Sequence, residues 1–418
     1  MTPPVEVLYV SSAATAAEFE RMSERLRPGA QEVTYGMPVA SVRFHHLIQE
    51  GLLAQGCRIH SIVGRSASRR FHRGAWWPAR REIVSGRLTV DHLAFPNLPV
   101  LKQIYVALGL ARAALGWRWR TRHAEDRMLV VDGAYVSAMT SVLPCLRGAS
   151  SLARIGIFAD LYSYMAEVED ASGRSVGLAH SAARRSVAKS LTMLDGYVVL
   201  TEQMADVLNT EGKPYIVMEG LVDAGSVPPD ADGSEKSIHP TVLYAGALRK
   251  EYGLEALVEG FQSWDEASAE LIIYGQGDYA PELAAIAESD PRINYLGAVS
   301  IADVADAERR AWLLVNPRPT EQEFTKYSFP SKNMEYLVSG TPVLTTRLPG
   351  MPSEYLEYVL TIDEPGPDGI RQALAKALAE GRDELLRRGE RGRSFVLERK
   401  NNSHQASRIL QLAHASAA

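Results

Sequence analysis

The sequence predicts an α/β protein built from two doubly wound, Rossmann-like parallel-sheet domains. Three observations carry that prediction. Short apolar runs alternate with segments of helical period along most of the 418 residues, which is the pattern of βα units feeding parallel sheets. A stretch rich in Pro, Gly, Ser and Asp, Ala224–Pro240, interrupts the alternation near the middle. The chain is also long enough for two cores of ordinary size. The expected division is residues 1–223, a linker over 224–240, and residues 241–399.

Composition narrows the class. Hydrophobic residues make up 46% and charged residues 23%, which is ordinary for a globular chain. Cys57 and Cys145 are the only cysteines, so no disulfide framework is expected and a reducing compartment is the default. MTPPVEVLYVSSAA has no basic region before its apolar stretch, and no run approaches the roughly 18 apolar residues of a membrane span; a cytosolic enzyme without a signal peptide is expected. Charge is uneven. Up to residue 200 there are 24 Lys/Arg against 16 Asp/Glu, and beyond it 21 against 34. The basic excess concentrates between Arg58 and Arg127, with 14 against 4.

In chain order, Val5–Ser12 reads as a first buried strand, Phe44–Gly56 as a helix stopped by Gly56, and CRIHSIVG as a second strand. His45 and His46 stand in tandem without an acid or third ligand at helical spacing, so a position lining a cleft between the domains is favoured over a metal site. Arg69–Leu88 and Gly109–Arg127 mix arginines with Trp76, Trp77, Trp117 and Trp119. Either these are solvated basic faces with partly packed tryptophans, or they meet an anionic membrane through Trp76, Trp77, Arg80, Trp117 and Trp119. Nucleic acid is not an expected partner, because no recognisable binding module accompanies the charge.

Met128–Gly133 is a buried strand, Tyr135–Leu146 a helix, and Ala153–Met165 a strand running into a polar end at Asp160. Asp160 either sits where functional groups of such sheets collect or caps a helix beginning at LYSYM. DGYVVLT is a further strand, with Thr201 as cap of the helix from Glu202, and Tyr215–Asp223 a last strand carrying Glu219 at its end.

The second half opens with Thr241–Phe261, a strand, a turn at Gly246 and an amphipathic helix. A glycine after a first strand lets backbone approach a diphosphate, which Arg249 and Lys250 can neutralise. GQGDYA, from Gly275, is nominally a dinucleotide fingerprint, but the next strand, within Arg292–Val299, ends without the acid that would hold a ribose. WLLVNP is an apolar strand stopped by Pro317 and Pro319, and its loop carries Arg318, Thr325 and Lys326. A short helix follows, with Pro330 in its first turn, Ser328 or Ser331 as cap, Lys332 at its positive end and Glu335 one turn in, closed by Gly340. An anion is expected there.

FPSKNMEYLVSGTPVLTT resembles the donor-binding segment of glycosyltransferase family 4, the retaining nucleotide-sugar enzymes of the GT-B fold. DGYVVLTEQM and MEGLVD are also similar to family sequences, so the resemblance runs from about Asp195 to Tyr355. It implies that Glu335 binds ribose hydroxyls; the second acid of the usual E-x7-E motif is replaced by Tyr327. It further implies a phosphate role for Arg249, then Lys250, with Lys332; donor contacts at Gly246, Arg318, Tyr327 and Ser331; and Asp160 as the group facing the donor sugar from the first domain. A last helix, from about 400 to 418, is expected to rejoin the first domain. Asp230 and Asp232 form a D-x-D like that of the other major glycosyltransferase fold, but a linker is the wrong place for a metal site.

The resemblance implies a glycosyltransferase of the hexosyltransferase type acting in glycan, polysaccharide or glycolipid biosynthesis. Its partners would be a nucleotide diphosphate sugar, used as substrate, and a sugar or lipid-linked acceptor; no metal or other cofactor is expected. A nucleotide-sugar epimerase on the same fold and a non-catalytic sugar-nucleotide-binding subunit are the alternatives.

Overall fold

A computed structural model describes residues 3–27, 39–161, 178–223, 225 and 236–417. The chain divides into two compact units, one of Met1–Leu221 with Asn402–Ala418, the other of Val222–Asn401.

The first unit is built on an eight-stranded sheet. Its strands are β1 (Glu6–Ser11), β2 (Arg58–Val63), β4 (Arg80–Ser85), β5 (Leu88–His92), β7 (Arg127–Asp132), β8 (Leu152–Phe158), β9 (Gly196–Val199) and β10 (Tyr215–Val217), in the spatial order β10-β9-β8-β7-β1-β2-β5-β4. All neighbours are parallel except β4 against β5. β1 and β7 lie at the centre, and Val7–Val10 and Met128–Val131 are buried throughout, which is why their sequences are continuously apolar rather than alternating. A small antiparallel pair, β3 (Trp76–Trp77) and β6 (Phe95–Pro96), stands apart. The helices are α1 (Ala16–Glu24), α2 (Val39–Ala54), α3 (Pro99–Arg120), α4 (Val136–Cys145), α5 (Leu178–Leu191) and α6 (Glu202–Leu208). Thr15 caps α1 by accepting from Glu18 N, and Thr201 caps α6 by accepting from Met204 N. The last strand is shorter than the apolar run suggested, because it pairs only over Tyr215–Val217.

The tryptophan-rich segments divide between core and surface. Trp77 and Trp117 are buried, so they cannot meet a membrane; Trp77 stacks near Phe95 and receives the guanidinium of Arg25 at 4.7 Å and of Arg65 at 5.6 Å. Part of the arginine–tryptophan mixture is therefore internal packing. Trp76 and Trp119 stay exposed, and Arg80 reaches Glu82.

The second unit has a six-stranded, wholly parallel sheet. Its strands are β11 (Thr241–Ala245), β12 (Glu270–Tyr274), β13 (Ile293–Tyr295), β14 (Leu313–Asn316), β15 (Val343–Thr346) and β16 (Leu360–Ile362), in the order β13-β12-β11-β14-β15-β16. The order reverses between β11 and β14, the switch point at which such sheets open a ligand crevice. On one face α7 (Leu254–Gln262), α8 (Ala280–Ser289) and α11 (Gly366–Ala379) bury Leu257, Phe261, Leu283 and Leu374. On the other, α9 (Ile301–Arg310), α10 (Ser331–Val338) and α12 (Arg382–Arg399) pack around Leu314, Met334, Tyr336 and Phe395.

The final helix, α13 (Asn402–Ala417), belongs to the first unit and lies against α2. Gln55 Nε2 donates to Ser403 O and Oγ, and Arg408 donates to Val217 O. Gly51 of α2 makes this approach feasible, since a Cβ there would lie 2.1 Å from Asn402 O. Gly51→Ala should therefore lower the urea midpoint by an amount corresponding to roughly 1–3 kcal/mol, with an unchanged midpoint showing that α13 yields freely.

Candidate active site

All the residues expected to bind the donor or act in catalysis, except Asp160, belong to the second unit, on segments that follow its strands, where α10 is fixed by buried polar ties. Asn316 Nδ2, at the end of β14, donates to Asn333 Oδ1 at 2.7 Å, and Asn333 Nδ2 reaches Thr345 Oγ1 of β15 at 3.5 Å. Tyr336 OH accepts from Ala245 N at 2.9 Å and donates to Ala245 O at 3.2 Å, so the same helix is tied to β11. Burial pushes the Tyr336 phenol well above its ordinary pKa and keeps it neutral. Neither Ser328 nor Ser331 caps α10. Pro330 is the N-cap residue and makes no side-chain cap bond, its carbonyl accepts from Asn333 N at 3.0 Å, and Ser331 is the exposed first helical residue.

Lys332 and Glu335 stand on the outer side of α10, half exposed, with Lys332 Nζ donating to Glu335 Oε2 at 2.9 Å. The two groups expected to meet phosphate and ribose thus pair with each other. Arg249 precedes the 3-10 turn Lys250–Tyr252, is exposed, and pairs with Glu251 at 3.1 Å. Lys250 is held by Glu282 of α8 at 2.5 Å and lies 3.7 Å from Glu255 of α7. Of the two basic residues, Arg249 pairs with an exposed carboxylate and lies 6.0 Å over the Tyr252 ring, whereas Lys250 meets acids of two helices. Arg318 behaves differently from both: it is largely buried, with its guanidinium over Tyr252 at 4.5 Å and over Phe324 at 5.8 Å, and burial lowers its pKa.

Gly275 and Gly277 are explained by protein packing. A Cβ at Gly275, whose φ is +139°, would lie 1.8 Å from Gly246 O, and one at Gly277 would lie 2.1 Å from Leu248 O. The fingerprint-like spacing lets the loop after β12 lie against the loop after β11. Gly246 N itself donates to Tyr274 O. Thr325 is likewise internal, its hydroxyl donating to Gln322 O at 2.5 Å, and Tyr327 closes the 3-10 turn Glu323–Lys326 half-buried.

In the first unit, Asp160 is exposed two residues beyond the end of β8, while LYSYM continues outside the described residues, as do Asp230 and Asp232. His45 is buried, with Nδ1 2.7 Å from Tyr9 OH and Nε2 3.4 Å from Asp132 Oδ2, and Asp132 also accepts from Ala134 N. Among the described residues one set, Glu18, Glu82 and His92, comes together as metal ligands would. Both carboxylates are already occupied, Glu18 by Arg21 and Arg65, Glu82 by Arg21 and Thr15.

Sequence reasoning missed Glu308. It is buried on α9, beside a cavity of about 70 Å³ that Arg309, Glu335, Ser339 and Arg393 also line. A signal existed: Val304, Ala307 and Ala311 form the apolar stripe of this helix, and Glu308 falls on it. Asn333 and Tyr336 were missed for the opposite reason, since a polar residue in a short amphipathic helix reads as surface.

Residues 239–380 match the family model described as glycosyl transferases group 1. No curated protein matches the chain in sequence. Among solved structures it is similar to sucrose-phosphate synthase from Thermosynechococcus elongatus, at 15% identity over 98% of each chain with a TM-score of 0.63. It is similar to the catalytic domain of starch synthase IV from Arabidopsis thaliana bound to ADP and acarbose, at 12% identity over 99% of this chain and 100% of that one, TM-score 0.63. A third likeness is to α,α-trehalose-phosphate synthase (UDP-forming) from Burkholderia xenovorans in complex with glucose-6-phosphate, at 12% identity over 98% and 100%, TM-score 0.61. The fold is GT-B, with two Rossmann-like domains in one chain.

Burial pushes the Glu308 carboxyl up to about 7, with Lys332 pulling it down, Glu335 pushing it further and Arg309 opposing. Between pH 4.5 and about 7 the unfolded chain releases this proton while the folded chain keeps it, so stability falls as pH rises through that window. The loss is on the order of 3 kcal/mol. Glu308→Gln should remove it: the variant's melting temperature should exceed that of the wild type at pH 8 and lose the advantage at pH 5. An equal difference at both pH values would show that Glu308 is ionised in the folded state.

Proposed function

We propose that the chain, whose residues 239–380 match the glycosyl transferases group 1 model, is a glycosyltransferase that moves a sugar from a nucleotide diphosphate donor to a hydroxyl acceptor, with retention of anomeric configuration. The observation that carries this reading is the Lys332–Glu335 pair on a helix whose amino end is fixed over the sheet's switch point. An ion pair this exposed contributes little to stability, so exchanging it for a ligand costs little. The donor would replace the pair, its diphosphate taking Lys332 and the amino end of α10, its ribose hydroxyls donating to Glu335.

The chemistry follows from where charge grows. As the glycosidic bond to the diphosphate breaks, negative charge accumulates on the leaving oxygens. Lys332, Arg249 and the positive end of α10 would stabilise that charge without a covalent nucleophile. No metal is needed for this electrostatic role, and no cofactor is proposed. Asp160 is the first unit's candidate for contact with the transferred sugar. The acceptor is proposed to be a sugar or lipid-linked hydroxyl in glycan, polysaccharide or glycolipid assembly, met at the cytoplasmic face of an anionic membrane when it is lipid-linked.

Glu335→Ala should weaken calorimetric binding of UDP or ADP, whichever the wild type prefers, at least tenfold, and unaltered affinity would remove the ribose assignment. Lys332→Ala should lower kcat and kcat/KM together, because leaving-group charge peaks in the transition state. A rise in KM alone would reduce Lys332 to ground-state binding. EDTA should leave turnover intact; activity lost to the chelator and restored by Mn²⁺ or Mg²⁺ would assign the counter-charge to a metal.

A further inference from the structure

α3 is apolar on two sides, and the residues of one side are exposed. Its inner face is the row Val106, Leu110, Ala114 and Trp117, all buried. Its outer face repeats the helical spacing with Leu101, Ile104, Leu108, Leu115 and Trp119, and these are exposed; Leu108 keeps 66% and Trp119 67% of its surface. A soluble surface helix carries polar residues on the side away from the core, whereas a helix hydrophobic all round is normally enclosed on every side. Contiguous exposed apolar surface of this kind marks an interaction site.

We propose that the outer face of α3 is a lipid-insertion surface that seats the protein on an anionic leaflet. Two features favour lipid over protein. From Pro99 to His123 the sequence has five Lys/Arg and no Asp/Glu; Lys102 and Arg118 turn onto the carbonyls of Ala67 and Cys145, while Arg112, Arg120 and Arg122 are exposed, so the exposed charge of this helix is positive and complements anionic headgroups. Arg112 lies exposed within the row, between Leu108 and Leu115. A second copy docking about a twofold axis would bring the same basic, acid-free helix face against itself, where no acid is available to pair Arg112. At a membrane surface the same side chain extends toward the headgroups while its stem stays in the apolar layer.

The ends of the row carry the aromatic groups suited to an interface. Trp76 is half exposed and meets Tyr105 edge-on at 5.8 Å, at the amino-terminal half of α3. Trp119 lies near the carboxyl end beneath the guanidinium of Arg122 at 4.6 Å. Rings with one polar edge concentrate at the headgroup level. Between Leu101 and Trp119 the helix runs about 27 Å at its ordinary rise, and none among the described residues is long and apolar enough to cross a membrane. α3 would therefore lie along the surface.

The inference rests on the reading of a lipid-linked acceptor for its purpose, while the binding it describes needs neither donor nor acceptor. Co-sedimentation of the full chain with vesicles of equimolar phosphatidylglycerol and phosphatidylcholine tests it. The wild type should pellet with these vesicles, and Ile104→Glu with Leu108→Glu should reduce the bound fraction at least tenfold. Both positions are exposed, so the double variant should keep the wild-type melting temperature. Ile301→Glu, at a position 87% exposed on α9, should bind as the wild type does. A wild type that stays in the supernatant, or a double variant that pellets equally, would overturn the proposal. So would light scattering that finds a wild-type dimer and a monomeric double variant, since the face would then belong to a second copy. Loss of sugar transfer in solution with vesicle binding intact would refute the catalytic reading and leave this one standing.

Discussion

The arrangement depends on how Asn333 and Tyr336 hold α10. Both are buried, and each satisfies its polar atoms on strand ends: Asn333 between Asn316 and Thr345, Tyr336 on both backbone groups of Ala245. Buried polar groups of this kind tolerate little displacement, because a donor or acceptor left without its partner costs about 1–3 kcal/mol. An apolar contact could slide; these cannot. The amino end of α10 is thereby set in relation to three strands at once, while Lys332 and Glu335, on its outer side, remain half exposed. Rigidity beneath and exchangeable charge above is the combination that a site for a charged ligand requires.

The strand rims around α10 are joined by backbone contact. The loop after β12 lies on the loop after β11 through Gly275 and Gly277, and Thr346 Oγ1 donates to Arg318 O across the loops after β14 and β15. Arg318 adds a cation enclosed between Tyr252 and Phe324. Arg249 also lies over Tyr252, at 6.0 Å, but is exposed and pairs with the carboxylate of Glu251. Three cations that follow the strands of this sheet thus differ in setting: Arg318 is enclosed by rings, while Lys250 and Arg249 are exposed and paired with carboxylates.

Much of the second unit was legible because its signals are local. β14 ends at Asn316, one residue before the proline that closes WLLVNP, and the Pro330 to Gly340 punctuation encloses α10. Pairing order was not legible, since parallel neighbours are distant in sequence and nothing in β11 names β14 as its partner. GQGDYA could be read as a nucleotide loop or as packing, and only the carbonyls of Gly246 and Leu248 decide. The charged and aromatic segments misled for a related reason. Composition gives the number of arginines near tryptophans but not which ring faces inward, and Trp77 and Trp117 turned in while Trp76 and Trp119 turned out. His45 and Glu308 show the same limit, because both are polar residues buried on helix faces that period alone assigns to the core.

The terminal helix has a consequence for biosynthesis. Val222–Asn401 is continuous, so every element of the second unit has emerged before α13 does. The first unit, although translated earlier, lacks until then the helix that packs on Gly51 and, through Leu412 and Ser416, on Gly196 of β9. Domains generally fold as units while the chain lengthens. Vectorial synthesis therefore completes these two in reverse, the later-made sheet first, and the earlier one waits on the ribosome with an uncovered flank that a chaperone would find.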